Sequence, residues 1–169
     1  MAAPLFPANA HRYDPYRTFM FQVVIDGAPV AGLKKMSGLK KTTEAVKWRS
    51  AGDIASERMM PGGTSYENIT LEQGLTHDPV FENWANQVNN IEGNAAMSLV
   101  GYRKDLVINV LNLQGAVAMS YHVFGAWVAE NQALPELDAG TMNAVGIQTL
   151  ALAHNGWERD LSVSEPTES

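Results

Sequence analysis

A chain without cysteine must build any catalytic centre from histidine, carboxylate, lysine and hydroxyl groups, so its four histidines come first. His11, His77, His122 and His154 are scattered, and no pair stands at HExxH or comparable metal-ligand spacing. His77 precedes Asp78, whose position before an apolar helical pattern is explained by capping. His122 falls within a strand pattern and His154 at the end of one, where hydrogen-bonded structural imidazoles are expected. The sequence contains no GxSxG elbow, P-loop or dinucleotide fingerprint. Pro61-Gly62-Gly63-Thr64-Ser65 has the glycines of a phosphate loop but lacks its lysine and its strand–helix setting, and reads as a turn. The missing thiols also remove disulfides, cysteine–zinc sites and thiol catalysis. The expectation is a non-enzyme with no catalytic residue, no metal and no cofactor.

The elements that would have to position such groups belong to one domain of 169 residues. The formal net charge of −6 argues against a general nucleic-acid binder, which needs a basic face. No apolar run approaches the ~20 residues of a membrane span, and the N-terminal stretch lacks the basic and apolar pattern of a secretory signal. Charged residues make up 18% of the chain, below the ~25% usual in soluble domains. So low a charge implies that part of the surface is hidden, as in an obligate oligomer.

Residues 1–16, with Pro4, Pro7 and Pro15, read as an irregular arm. Phe19, Phe21, Val23 and Ile25 alternate with Thr18, Met20, Gln22 and Val24 and predict a strand over 17–26, closed by the Asp26-Gly27 turn. A second, glycine-broken strand is expected over 30–44, forming a hairpin with the first. Residues 45–65 have no clear period and read as a long irregular arm, a length usually functional or disordered. Residues 66–74 form a short strand with Ile69, Leu71 and Gln73 on one side.

One helix is predicted over 78–92: Asp78 caps it, Pro79 suits its first turn, and Phe81, Trp84, Ala85, Val88 and Ile91 line one face. Gly93 is placed to end it. Its other face, Glu82, Asn83, Asn86 and Asn89, is mostly amide, which fits an interface. Residues 105–115 and 116–130 are strands apolar on both faces, joined at Gly115. The strand over 142–154 changes phase, predicting a bulge near Gln148-Thr149, and Asn155-Gly156 signals a turn. The polar tail after Asp160 is expected to fray. Two-faced apolar strands with a single helix predict a mainly β fold, an antiparallel barrel or sandwich.

Lys34-Lys35 and Lys40-Lys41 place one lysine of each pair on either face of a strand. They either guard a sheet edge, the commoner use, or form a row of charge at a subunit contact or pore.

Three stretches in order then carry a resemblance. "YRTFMFQVVIDG" with "GLKKMSGLKKTTEAVKWR", "MPGGTSYENITLEQGLTHDPVFENWANQV", and "LPELDAGTMNAVGIQTLALAHNGWER" together span roughly residues 17–159. They resemble the inner-tube proteins of contractile phage tails and contractile injection systems, a family related to the tube protein of type VI secretion. The resemblance implies a small β-barrel domain (17–160) with a flanking helix. Six copies would join into a hexameric ring barrel, and rings would stack into a hollow tube. It further implies an inter-subunit role for 45–65, carried by Val46, Trp48, Arg49, Ile54, Met59 and Met60, with Lys34 and Lys41 at the same contacts. Implied partners are sister copies, a contractile sheath, baseplate, spike and tube-terminator proteins, and protein effectors or DNA as cargo in the lumen. Implied location is the bacterial cytoplasm during assembly, then a phage tail or tail-like particle. A ring-forming tube-initiator paralogue and a β-barrel ligand-binding module or small enzyme are the alternatives. The arm 1–16 and the acidic tail 161–169 depart from the family pattern.

Overall fold

A computed structural model describes residues 6–52, 55–88, 91 and 100–168. Alternation places the first strand: in β1 (Phe21–Ile25) Val23 and Ile25 turn inward. Asp26 and Gly27 both have positive φ, 50° and 79°. This is the two-residue hairpin geometry that glycine adopts without steric cost. The chain reverses into β2 (Ala28–Pro29), which pairs with only Val24 and Ile25.

The strand expected over 30–44 is divided into β3 (Leu33–Met36) and β4 (Lys41–Trp48). Neither pairs with β1, so the opening hairpin is a two-residue stub. β1 finds its long partner in β7 (Lys104–Leu111), while β3 pairs with β6 (Ile69–Gly74). β3 is the outermost strand of the sheet and carries Lys34 and Lys35, both exposed.

Among the described residues the main sheet has eight strands, all antiparallel. Its order is β2-β1-β7-β8-β9-β6-β3, with β8 Val117–Gln132, β9 Ile147–Ala153, and β10 (Gly156–Arg159) also paired to β8. Side chains from both ends of this order share one core: Val23 and Ile25, Leu106 and Ile108, Val123 and Val128, Leu150 and Leu152, Ile69 and Leu71. A sheet whose far strands meet in one cluster is rolled, with a barrel-like interior.

β8 is the bent strand. It buries Ala118 and Ser120, then Val123, then Ala126 and Val128, so its inward phase changes twice. Its first part pairs with β7 and its last part with β9. The bulge expected near Gln148-Thr149 is therefore on β8, between Val128 and Glu130, and β9 alternates without interruption. Gln148 occupies an inward position there; its amide donates to Gln73 Oε1 at 2.6 Å, and Gln73 donates to Ala31 O at 2.5 Å. A polar residue in a core position concealed the phase.

Asn155-Gly156 is likewise not a hairpin turn. β9 and β10 run on along β8 in one register, Ala153 opposite Trp127 and Gly156 opposite Phe124. The pair bends one strand. Gly115, at φ 83°, does close the β7–β8 turn, where Asn112 Oδ1 accepts from the amides of Gln114 and Ala116.

The helix α1 (Val80–Val88) starts where Asp78 Oδ1 accepts from the Val80 amide at 3.2 Å. Phe81 and Trp84 are buried and Trp84 Nε1–H donates to Tyr102 O at 2.8 Å. Burying two such rings stabilises the packing of α1 on β8 by ~1.5–3 kcal/mol each. Ile91 is fully exposed and does not extend the apolar face. Asn89 and Gly93, the expected C-terminal end, lie outside the described residues, as does Pro4.

The tail is seated rather than bare. Asn9 is 2% exposed; its Nδ2 donates to Glu165 Oε1 at 2.7 Å and Pro166 O at 2.8 Å, and its Oδ1 accepts from the Glu168 amide at 2.7 Å. Arg12 pairs with Glu168 and lies over the Tyr16 ring. Burial first, then the Glu165 charge, push the Tyr16 hydroxyl above its usual pKa.

Candidate assembly interface

Within 45–65, expected to be irregular, residues 45–48 and 58–65 belong to an ordered ribbon. β4 pairs with β5 (Arg58–Tyr66) as a two-stranded sheet separate from the main one. The Pro61-Gly62-Gly63 stretch lies inside β5. A proline is tolerated there because each strand of a two-stranded ribbon has an unpaired edge. The ribbon also continues the β3–β6 ladder. Met36 opposite Leu71 and Lys41 opposite Tyr66 belong to one register, which holds from Lys35 to Thr43 and shifts at Leu33/Lys35 and Thr43/Ala45. Between these paired stretches the Ser37 amide donates to Thr70 O, and the Glu67 amide to Lys40 O.

Beyond Tyr66 the ribbon leaves the core. Every residue of β4 and β5 except Tyr66 is exposed. Exposure reaches 40% at Val46, 50% at Trp48, 60% at Met59 and 49% at Met60. The pairing places Val46, Met60, Trp48 and Arg58 on one face, with the Arg58 guanidinium 5.8 Å from the Trp48 ring centroid. Met59 lies on the other face, opposite Lys47, which pairs with Glu57 at 3.4 Å. Large apolar side chains on both faces of an unsupported ribbon mark an interaction surface rather than a solvated one.

Of the residues expected at subunit contacts, Val46, Trp48 and Met60 share one face and Met59 takes the other. Arg49 follows the end of β4, and Lys41 stands at the ribbon root, 6.0 Å from the Trp157 ring. Lys34 is on β3, in the main sheet and off the ribbon's exposed part. Ile54 lies outside the described residues.

Sequence reasoning missed the residues at the ribbon's root. His154 Nε2–H donates to Glu67 O at 2.9 Å, the Tyr66 ring lies against Gly156, and Tyr66 and His154 are in ring contact. Only the register of β6 against β9, carried two residues past Ile69–Leu152, would have put His154 opposite Glu67.

The histidines do not converge. His122 Nε2 lies 3.2 Å from Asp160 Oδ2, and the Asp160 carboxyl is held below its usual pKa by the Ser162 hydroxyl first and His122 second. Among the described residues no three His, Asp or Glu side chains are placed to hold a metal, and no helix is long and apolar enough to cross a membrane.

The family model described as T4-like virus tail tube protein gp19 matches residues 17–158. The fold is similar to a chain of the PVC sheath–tube complex, an extracellular contractile injection system in its extended state. The TM-score is 0.72 at 22% identity, covering 86% of this chain and 91% of that one. A chain of the anti-feeding prophage tube-terminating cap gives 0.73 at 24% identity, covering 88% and 93%. Hcp1 from Flavobacterium johnsoniae gives 0.54 at 16% identity, covering 89% and 100%. At these identities the likeness speaks to the fold. No curated protein sequence matches the chain.

Proposed function

The chain belongs to the T4-like virus tail tube protein family, and from that premise we propose that it is the repeating unit of a hollow tube whose contacts are made by the exposed ribbon. It is a structural tube protein. In this reading six copies close a ring, rings stack, and β4–β5 of one copy lies on a neighbour in its own or the next ring. Ring-on-ring stacking is a heterologous contact, which propagates as a filament instead of closing. The chain acts as a building unit and not as an enzyme, and requires no cofactor.

The observation that carries this reading is the ribbon itself: Val46, Trp48, Met59 and Met60 are ordered by β pairing yet uncovered by their own chain. Lys41 belongs to the same contact through its place at the root. Lys34, on the outermost strand, would face the adjoining subunit of the ring. Partners in this reading are a contractile sheath around the tube, a baseplate with its spike at one end and a terminator at the other. Protein effectors or DNA would travel in the lumen. Assembly would take place in the bacterial cytoplasm.

Negative-stain electron microscopy of the purified chain over a range of concentrations tests the proposal. Rings and stacked tubes are expected. A folded chain that stays monomeric at high concentration and physiological salt would overturn it.

A further inference from the structure

The point where the ribbon leaves the barrel is built as a lock, and we propose that Tyr66, His154 and Gly156 are positioning residues. They fix the exit direction of β4–β5 before any neighbour is met. The inference rests on the reading of that ribbon as the contact between copies.

The β6–β9 ladder ends at Ile69 opposite Leu152. Two residues on, a regular ladder would use the backbone of His154 against Glu67. The chain instead runs on along β8, where the Asn155 amide donates to Phe124 O at 2.9 Å, and the ladder to β6 is not carried on to His154 and Glu67. The His154 side chain replaces it, its Nε2–H donating to Glu67 O at 2.9 Å. His154 Nδ1 is buried without a hydrogen-bond partner among the described residues. The bond to Glu67 is therefore the one hydrogen bond seen for this ring.

Tyr66 supplies the packing half of the lock. It is the one residue of β4 and β5 that is not exposed. Gly156 has φ 144°, and a methyl group placed on it would stand 3.1 Å from Tyr66 Cζ. Only glycine both adopts that backbone and admits the ring. Lys40 pairs with Glu67 at 3.0 Å and Lys41 lies over Trp157, so both strands of the ribbon are held at one level.

A two-stranded ribbon without such a root is marginal in water and would sweep many directions. A neighbour would then bind only the fraction of chains pointing correctly, which lowers apparent affinity by that fraction. The lock makes the ribbon a pre-oriented arm.

The test uses the full chain with His154→Ala and Tyr66→Ala, beside the conservative variants His154→Gln and Tyr66→Phe. Amide hydrogen exchange is read in dilute, unassembled protein, and the concentration needed for tube growth by light scattering and microscopy. The alanine variants are expected to speed exchange across β4 and β5, to leave β6 and β9 protected, and to raise the concentration for tube growth by about tenfold. His154→Gln keeps an N–H donor and Tyr66→Phe keeps the ring, so both should restore the parent behaviour. If Tyr66→Ala also strips protection from β6 and β9, His154→Ala alone decides. Unchanged exchange in β4–β5, or unchanged tube growth while Trp48→Asp blocks it, would overturn the lock and leave the interface reading standing. Tube growth indifferent to Trp48→Asp as well would overturn both.

Discussion

At the scale of single residues, the polar groups inside this fold are there to be satisfied. Gln148 and Gln73 lie within the core face and bond to each other. Gln148→Leu would leave Gln73 Oε1 without its donor, an expected loss of ~1–3 kcal/mol in denaturant unfolding. Changing both residues to leucine should cost less than the sum of the single changes, because no orphaned pair remains. Asp160 is held below the ordinary carboxylate pKa of 3.8 by Ser162 and then His122. A carboxyl with a lowered folded pKa contributes stability above its unfolded value and loses it as pH falls through the lowered one. An NMR pH titration should therefore place the Asp160 midpoint below 3.8, and Ser162→Ala should move it up toward that value.

At the scale of elements, α1 and the β4–β5 ribbon separate stability from assembly. α1 is fastened by two buried rings, so Trp84→Ala should destabilise the folded chain by ~3–5 kcal/mol, measured by chemical denaturation. Among its described strand residues the ribbon has no buried large side chain, and all but Tyr66 at the root are exposed. Replacing both Trp48 and Met59 with Asp should leave the melting temperature of the unassembled chain within a few degrees of the parent, since exposed substitutions usually change stability by under ~0.5 kcal/mol. Tubes should be absent under the microscope for the same variant. Unfolding of that variant would mean that the ribbon belongs to its own core.

At the scale of the whole molecule, the segments 9–12 and 165–168 are joined although they are far apart in sequence. Asn9 makes three hydrogen bonds to the segment 165–168, and Arg12 adds a charged contact to Glu168. Truncation after Asp160 strands a buried amide side chain. The expected cost is ~1–3 kcal/mol, which differential scanning calorimetry would read as a lower Tm. An unaltered Tm would show the ends to be independent of the barrel.

Type and order of elements were legible in the residues themselves: the alternation of β1 and β6, the Asp78-capped helix with Phe81 and Trp84 inward, the turn at Gly115. Each depends on neighbours within a few positions, where side-chain period and local hydrogen bonds decide the backbone. The three-part resemblance carried the family, and the residues of the ribbon tip came with it. What tertiary structure alone decided was pairing. β3 leaves β1 for β6, β9 and β10 continue as one strand through Asn155-Gly156, and residues 45–48 and 58–65 form a ribbon although Pro61, Gly62 and Gly63 read locally as a turn. A strand facing no core of its own has no apolar alternation to display, and hydrogen-bond partners distant in sequence leave no local period. That is why the ribbon's expected contact residues came only with the resemblance, while its root, at Tyr66, His154 and Gly156, became visible only once the register was known.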